Sequence, residues 1–179
     1  MAEVLLTSES FVKSVSSLSD NVYGKYLLPS IREAQETSLR SILGDSLTDR
    51  LKKESQRKDE AENKYLDLID KLQYYLAYSS IVELIPKIQF KIVNAGVVKT
   101  TDENLQTASY SEIEKMIFYY QSKADSECRK LQQWLLKNHS DYPELSENDC
   151  RSIKANLTSA ASCGVWLGGV RGKSWRKRS

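Results

Sequence analysis

The sequence predicts an all-α fold, a small bundle of about four to five helices followed by an extended C-terminal tail. Glycine and proline, the residues that interrupt helices, are scarce in the 179-residue chain, with 7 and 3 occurrences. Apolar side chains recur at three- to four-residue spacing through long segments, as on one face of a helix. A Ser-x-x-Glu pattern, typical of a helix N-terminus, opens one of these segments. We expect two parts: a helical body over residues 1–149 and a docking tail over residues 150–179.

The first short helix is expected over residues 7–20. Phe11, Val15 and Leu18 are spaced by four and three residues there. Ser8 or Ser10 precedes them and can serve as the N-cap, because a serine hydroxyl accepts from the free backbone N–H groups of a first turn.

The most informative segment, residues 26–51, is predicted to form two helices joined at a glycine. Pro29 is expected in the first turn, where a missing N–H costs nothing. Gly44 is expected to be a left-handed helix cap. Gln35 follows Ala34 on the apolar side, and we expect it to be a packed or inter-subunit amide rather than a catalytic group.

A long helix is expected from about Asp59, after a polar stretch that is either a solvated connection or its exposed first turns. Pro86 should kink or break this helix. Residues 87–93 alternate like a strand, but we favour a further helical piece because neighbouring segments offer no evident strand partner. Val97 and Val98 then fall in a predicted loop, where they are candidates for packing or for contact with a neighbouring subunit.

The clearest helix is predicted to begin at Ser111, which forms a capping box with Glu114. It should end near Asn138, before a turn over residues 139–145. Its buried stripe is spaced by three and four residues and comprises Ile113, Ile117, Tyr120, Ala124, Cys128, Leu131 and Leu135.

The tail differs from the body in charge and composition. Residues 150–179 hold seven basic and no acidic side chains, whereas residues 1–149 have a net charge of −5. Tryptophan and arginine anchor many protein interfaces, and aromatic residues mixed with cations can also contact nucleic acid. Residues 164–172 could form a strand or hairpin, or be ordered only by a partner. The candidate docking residues are Trp166, Leu167, Val170, Arg171, Lys173, Trp175, Arg176, Lys177 and Arg178.

Catalytic, cofactor and metal sites are not predicted. The single histidine, His139, lies in a loop, and no His/Cys cluster has zinc spacing. The Gly-Lys-Ser at residues 172–174 is not a phosphate-binding loop, because Leu167 stands where its first glycine is required. Three widely spaced cysteines are expected to be reduced thiols. The N-terminus has no signal-peptide pattern, and no apolar run reaches the roughly 18 to 20 residues of a membrane span. We therefore expect a cytosol-like compartment.

Residues 26–51 carry a resemblance to a known family. Their order of Pro-x-Ile, Ala-Gln, Ile-Leu-Gly and a trailing leucine resembles the opening of head-to-tail connector (neck adaptor) proteins of tailed bacteriophages, of the Bacteroides and crAss-like phage type. The resemblance continues more weakly through the tyrosine-rich helix, residues 84–86, residues 94–98 and the helix that ends near Asn138.

The resemblance implies a structural virion protein without enzymatic activity or cofactor. Such proteins are small helical bundles that form a ring, usually of twelve copies, beneath the portal protein. The ring joins the capsid to tail or further neck proteins. It also extends the channel through which DNA passes without sequence-specific binding. Their C-terminal segments commonly dock on the portal. The expected location is the neck of a virion assembled in the host cytoplasm, with no membrane partner. The alternative is a small helical nucleic-acid-binding or regulatory protein that uses the basic tail.

Overall fold

The computed structural model describes residues 4–19, 21–57, 63–93, 96–99, 109–145 and 153–154. The described part is a small bundle built from α-helices, which confirms the all-α fold class, with one two-stranded hairpin in addition. The helices are α1 (Glu9–Ser14), α2 (Gly24–Glu33), α3 (Arg40–Gln56), α4 (Asn63–Gln89) and α5 (Tyr110–Lys137). A π-helical segment (Ala34–Leu39) joins α2 to α3, and a 3-10 turn (His139–Asp141) follows α5.

The first helix begins where the serines indicate. The hydroxyl of Ser8, the N-cap of α1, accepts a hydrogen bond from the backbone N–H of Phe11 at 3.1 Å. The helix ends at Ser14, so Val15 and Leu18 lie beyond it, although both pack against buried residues of the bundle.

The segment from α2 to α3 is helical on both sides of a kink at Gly44, as the predicted pair of helices joined at a glycine requires. Gly44 has φ 76° and ψ 169° inside α3, so the predicted positive φ is confirmed, while helical structure resumes directly on its far side. Pro29 lies inside α2 rather than in its first turn, because the helix begins earlier, at Gly24. The side chain of the N-cap, Tyr23, makes no capping hydrogen bond, so the sequence gives no signal for this helix start.

The end of α4 corrects two predictions. The helix runs through Pro86 to Gln89 without a break. Strand β1 (Phe90–Val93) follows directly and pairs antiparallel with β2 (Gly96–Lys99). The helix predicted for residues 87–93 is therefore wrong beyond Gln89, and the loop predicted for Val97 and Val98 is also wrong. The strand partner judged missing is the next four-residue segment, reached by a two-residue connection.

The capping box of α5 lies two residues earlier than predicted. Ser109 is the N-cap, its hydroxyl accepts from the backbone N–H of Glu112 at 3.3 Å, and the Glu112 carboxylate accepts from the backbone N–H of Ser109 at 2.8 Å. Ser-x-x-Glu occurs twice in this stretch, from Ser109 and from Ser111, and only the structure distinguishes the two. The helix ends at Lys137 with Asn138 as its C-cap, which confirms the predicted end near Asn138.

Two apolar clusters hold the elements together. The main core joins α3, α4, α5 and residues 142–145, with Leu43, Leu72 and Leu131 among its buried members. The second core joins α1, α2 and the C-terminal half of α4, with Leu27, Ile31 and Leu84 among its members. Helices α4 and α5 are antiparallel, since Tyr78 contacts Tyr120 at one level (ring centroids 6.3 Å apart) and Tyr65 contacts Tyr142 at another (5.8 Å).

The chain beyond α5 folds back on the main core. Tyr142 is buried and donates a hydrogen bond from its hydroxyl to the backbone carbonyl of Lys64 at 2.7 Å, while Leu145 and Ile153 are also buried. Cys128, in the buried stripe of α5, is disulfide-bonded. The expectation that the cysteines are reduced is therefore wrong for Cys128.

Candidate functional site

Most residues predicted to dock a partner lie outside the described residues. This applies to the tail positions Trp166, Leu167, Val170, Arg171, Lys173, Trp175, Arg176, Lys177 and Arg178, and to the hairpin expected at residues 164–172. Within the predicted tail the structure describes Ile153, which is buried in the main core, and Lys154, which is exposed. Val97 and Val98 lie in β2, opposite Ile92 and Lys91.

Gln35 is fully buried and binds the backbone of the N-terminal segment. Its Oε1 accepts from the N–H of Leu6 at 2.8 Å, and its Nε2 donates to the carbonyl of Val4 at 3.0 Å. One side-chain amide thus binds a backbone donor and a backbone acceptor of the N-terminal segment. The π-helical segment that carries Gln35 widens the helix at this point. In this structure Gln35 acts within the chain and fixes the path of residues 4–7.

The kink at Gly44 is bridged by one guanidinium. Arg40 donates to Asp45 at 2.8 Å and to Asp49 at 3.0 Å, both beyond the glycine, and lies 3.0 Å from Glu36 on the near side. The hydrogen bond to Asp45 raises the pKa of Arg40; burial opposes the rise, and the neighbouring carboxylates add to it. The arrangement joins the helical segments on the two sides of Gly44 and presents no group to a substrate.

A second charged cluster lies where α2 ends against α4. Lys87 pairs with Glu33 and donates to the hydroxyl of Ser30 at 3.1 Å. Glu83 lies beside this pair, and burial raises its pKa, with the nearby Glu33 carboxylate adding to the rise and Lys87 opposing it. A carboxyl with a raised pKa can act as an acid or base, but here it faces a helix junction rather than an open cavity.

Groups of three or more His, Cys, Asp or Glu residues able to hold a metal ion are absent from the described residues. His139 is exposed, and its Nδ1 lies 3.1 Å from the Leu136 carbonyl, which is a local contact of the helix end. A cleft of about 350 Å³ between α4 and α5 is lined by Tyr74, Trp134 and the Lys130–Glu127 ion pair (2.7 Å) together with neighbouring residues. The lining includes two acidic and two basic side chains, and it contains no serine, cysteine or histidine.

Exposed apolar side chains concentrate at one end of the bundle, where α4 ends and α5 begins. Six of the ten large apolar side chains that are exposed among the described residues lie there, and Phe118 and Tyr110 are 69% and 68% exposed. We call this surface the apolar end, and its members are Ile88, Phe90, Tyr110, Met116, Phe118 and Tyr119.

Residues 116–120 of α5 are apolar on every side of the helix. At 3.6 residues per turn, Met116, Phe118 and Tyr119 point in three directions separated by about 60° to 160°, while Ile113 and Tyr120 on a fourth side are buried. A helix that is apolar all round is normally buried all round. In the described part of the chain only one side is covered, so the apolar end is the strongest candidate for a contact with another molecule.

Sequence reasoning overlooked the apolar end, although a signal was present. Residues 116–120 are five consecutive large apolar residues, Met-Ile-Phe-Tyr-Tyr, whereas a one-sided helical stripe supplies two or three in that length. The prediction followed the members that fit the stripe, Ile117 and Tyr120, and left the other three without a role.

None of the described helices combines the length and apolar character needed to cross a bilayer. Searches of curated proteins and of solved structures return no match. The model of one protein family, described as "Family of unknown function (DUF6712)", matches residues 39–155, which is about two thirds of the chain. The match covers Gly44, α4, the hairpin and α5, and begins after Gln35. The chain therefore belongs to the DUF6712 family.

Proposed function

We propose that the protein is a structural virion component, a head-to-tail connector of a tailed bacteriophage that forms a ring beneath the portal protein. It joins the capsid to tail or further neck proteins and extends the channel for DNA, and it has no enzymatic activity. The observation that carries the proposal is the apolar end. The resemblance of residues 26–51 to connector proteins supplies the kind of assembly.

The size of the apolar end fits a stable subunit contact. A fully buried aromatic side chain covers about 150–250 Å². Six large side chains, each about 37% to 69% exposed, therefore present on the order of 600 Å² of apolar surface. A standard interface buries about 800 Å² per partner, of which somewhat more than half is apolar. A ring also requires a second, different surface on each copy, because every copy contacts two neighbours.

The tail is proposed to dock on the portal. Its charge is opposite to that of the body, and its two tryptophans, Trp166 and Trp175, are of the residue type that most often anchors interfaces. Both tryptophans belong to residues 155–179, which follow the buried Ile153 in the sequence.

Native mass spectrometry and electron microscopy of the full-length protein, alone and with the portal protein encoded in the same genome, test the proposal. We expect a closed ring whose mass is a multiple, about twelvefold, of the 20.4 kDa chain. A protein that stays monomeric under both conditions would contradict the proposed function. Binding to duplex DNA that weakens steeply with salt, without portal binding, would favour the nucleic-acid-binding alternative.

A matched pair of full-length variants tests the role of the tail. Trp166→Ser combined with Trp175→Ser should abolish portal binding while the helical circular dichroism signal is unchanged. Trp134→Phe, a conservative change of a tryptophan in the body, serves as the control and should leave portal binding intact. Equal portal binding by the double variant and the wild-type protein would show that the tail is not the docking element.

A further inference from the structure

A second exposed apolar surface is formed by α2 and its N-cap residue, Tyr23. Tyr23 and Leu28 are exposed, and Lys25 and Arg32 accompany them. Lys25, Leu28 and Arg32 are spaced by three and four residues and so share one side of the helix. We call these four residues the α2 face. It combines apolar area with positive charge, and the Lys25 ammonium lies 5.4 Å from the centroid of the Tyr23 ring.

The α2 face and the Phe118 side of the apolar end point away from each other. Tyr120 faces α1 and α2, because its hydroxyl lies 2.7 Å from the hydroxyl of Ser17 and its ring belongs to the second core. Phe118 precedes Tyr120 by two residues, which is about 200° around a helix, so Phe118 faces the side of the bundle opposite to α1 and α2. Leu27, next to Leu28, is buried in the second core. The α2 face therefore points to solvent on the side of the bundle that carries the second core.

The charges of the two surfaces are complementary. Tyr110, Glu114 and Phe118 are spaced by four residues each and form one exposed row on α5, with a carboxylate between two aromatic rings. The α2 face has cations beside its apolar residues. Apolar contacts surrounded by opposite charges favour one docking orientation over others.

We propose that the apolar end of one copy, through the row containing Phe118 and Glu114, docks on the α2 face of the next copy. The contact rests on the proposed function, since it supplies the joint between neighbours in the ring. Because the two surfaces are different and lie on opposite flanks, the contact is head-to-tail, and repeating it closes a ring when the rotation between copies permits.

Two full-length single variants test the contact by complementation in native mass spectrometry. Phe118→Ser disables the α5 row, and Leu28→Ser disables the α2 face. Each variant alone should be monomeric at a concentration at least tenfold above that at which the wild-type protein is a ring. When the two variants are mixed in equal amounts, the intact α5 row of Leu28→Ser can still dock on the intact α2 face of Phe118→Ser. We therefore expect heterodimers and no ring. Both side chains are exposed, so circular dichroism should be unchanged.

Charge reversal provides an independent measurement. Glu114→Lys and Lys25→Glu should each weaken ring assembly about tenfold or more, because each places like charges opposite one another, and the double variant should recover assembly. Asp70→Lys is the matched control, since it makes the same charge change at an exposed position outside both surfaces and should leave assembly unchanged.

The outcomes separate the contact from the function. Rings that form normally from both single variants would overturn the contact and leave the proposed connector role standing. Homodimers of Leu28→Ser alone would indicate an isologous contact through the apolar end and would also overturn it. Loss of portal binding by Phe118→Ser with intact rings would assign the apolar end to the portal instead. A wild-type protein that never oligomerises, alone or with the portal, would overturn the proposed function itself.

Discussion

Replacing Gln35 by leucine is expected to lower the free energy of unfolding by about 1–3 kcal/mol. The substitution removes the acceptor of the Leu6 N–H (2.8 Å) and the donor to the Val4 carbonyl (3.0 Å) at a fully buried position. A buried N–H left without a partner costs about 1–3 kcal/mol, and the lost bond to Val4 adds about 0.5–1.5 kcal/mol. The better burial of leucine offsets about 1 kcal/mol of that loss.

Urea denaturation of the full chain measures this change, and a truncated background identifies its cause. Without residues 1–7 the Gln35 amide has lost its backbone partners, so Gln35→Leu should then be neutral or stabilising. The reversal of sign distinguishes the backbone clamp from ordinary packing. A change below about 0.5 kcal/mol in the full chain, or an equal loss in both backgrounds, would refute the reasoning.

The variant Gln35→Glu adds a pH-dependent test of the same contact. An ionised carboxylate can accept from Leu6 but cannot donate to Val4, and it is buried, so the variant should be less stable than Gln35→Leu near pH 7. Once protonated, the introduced carboxyl group both donates and accepts, as the amide does. The folded state then binds the proton more tightly than the unfolded state, and stability should rise as the pH falls. A flat pH profile relative to the wild-type protein would contradict the hydrogen-bond geometry.

Two further predictions concern the backbone and the charged junction. Gly44→Ala should destabilise the fold by about 1–3 kcal/mol in thermal or urea denaturation, because alanine rarely adopts φ 76°, while Ser46→Ala on the exposed side of α3 should cost far less; equal effects would refute the role of the positive φ. Glu83→Gln should reduce the loss of stability that occurs as the pH rises through the raised pKa of Glu83, because a raised carboxyl pKa means that the folded state favours the protonated form. The stability difference between the variant and the wild-type protein should therefore change as the pH passes through that pKa and be constant at lower pH. A difference independent of pH would show that Glu83 contributes through packing alone.

Local signals in the sequence were accurate where a single helix decides the structure. Six of the seven residues predicted for the stripe of α5 are buried and Ile117 is half-buried, because the period follows from helix geometry and requires no knowledge of the partner helix. The Ser8 cap and the positive φ of Gly44 are also local, since each depends on a few neighbouring backbone groups. The same locality explains the misplaced capping box, because two overlapping Ser-x-x-Glu patterns satisfy the same rule.

Predictions that depend on a distant or unseen partner fared worse. Residues 90–93 alternate like a strand, but a strand is stabilised by its neighbour, and the neighbour at residues 96–99 is short and glycine-initiated. The disulfide of Cys128 was unpredictable for a related reason, since pairing depends on which cysteines the fold brings together rather than on their spacing. The tail residues proposed to dock on the portal stay predictions of the sequence.

The amino-acid sequence by itself determined that this chain is a helical bundle, because helix periodicity and the scarcity of glycine and proline act within each segment. It also determined the separation of an acidic body from a basic tail, which is a property of composition alone. Only the tertiary structure decided what Gln35 does and which apolar residues stay uncovered. In the sequence, a glutamine or tyrosine that becomes buried looks the same as one that stays exposed. The residues that bury it, Val4 and Leu6 for Gln35 and the second core for Tyr120, lie tens of residues away along the chain.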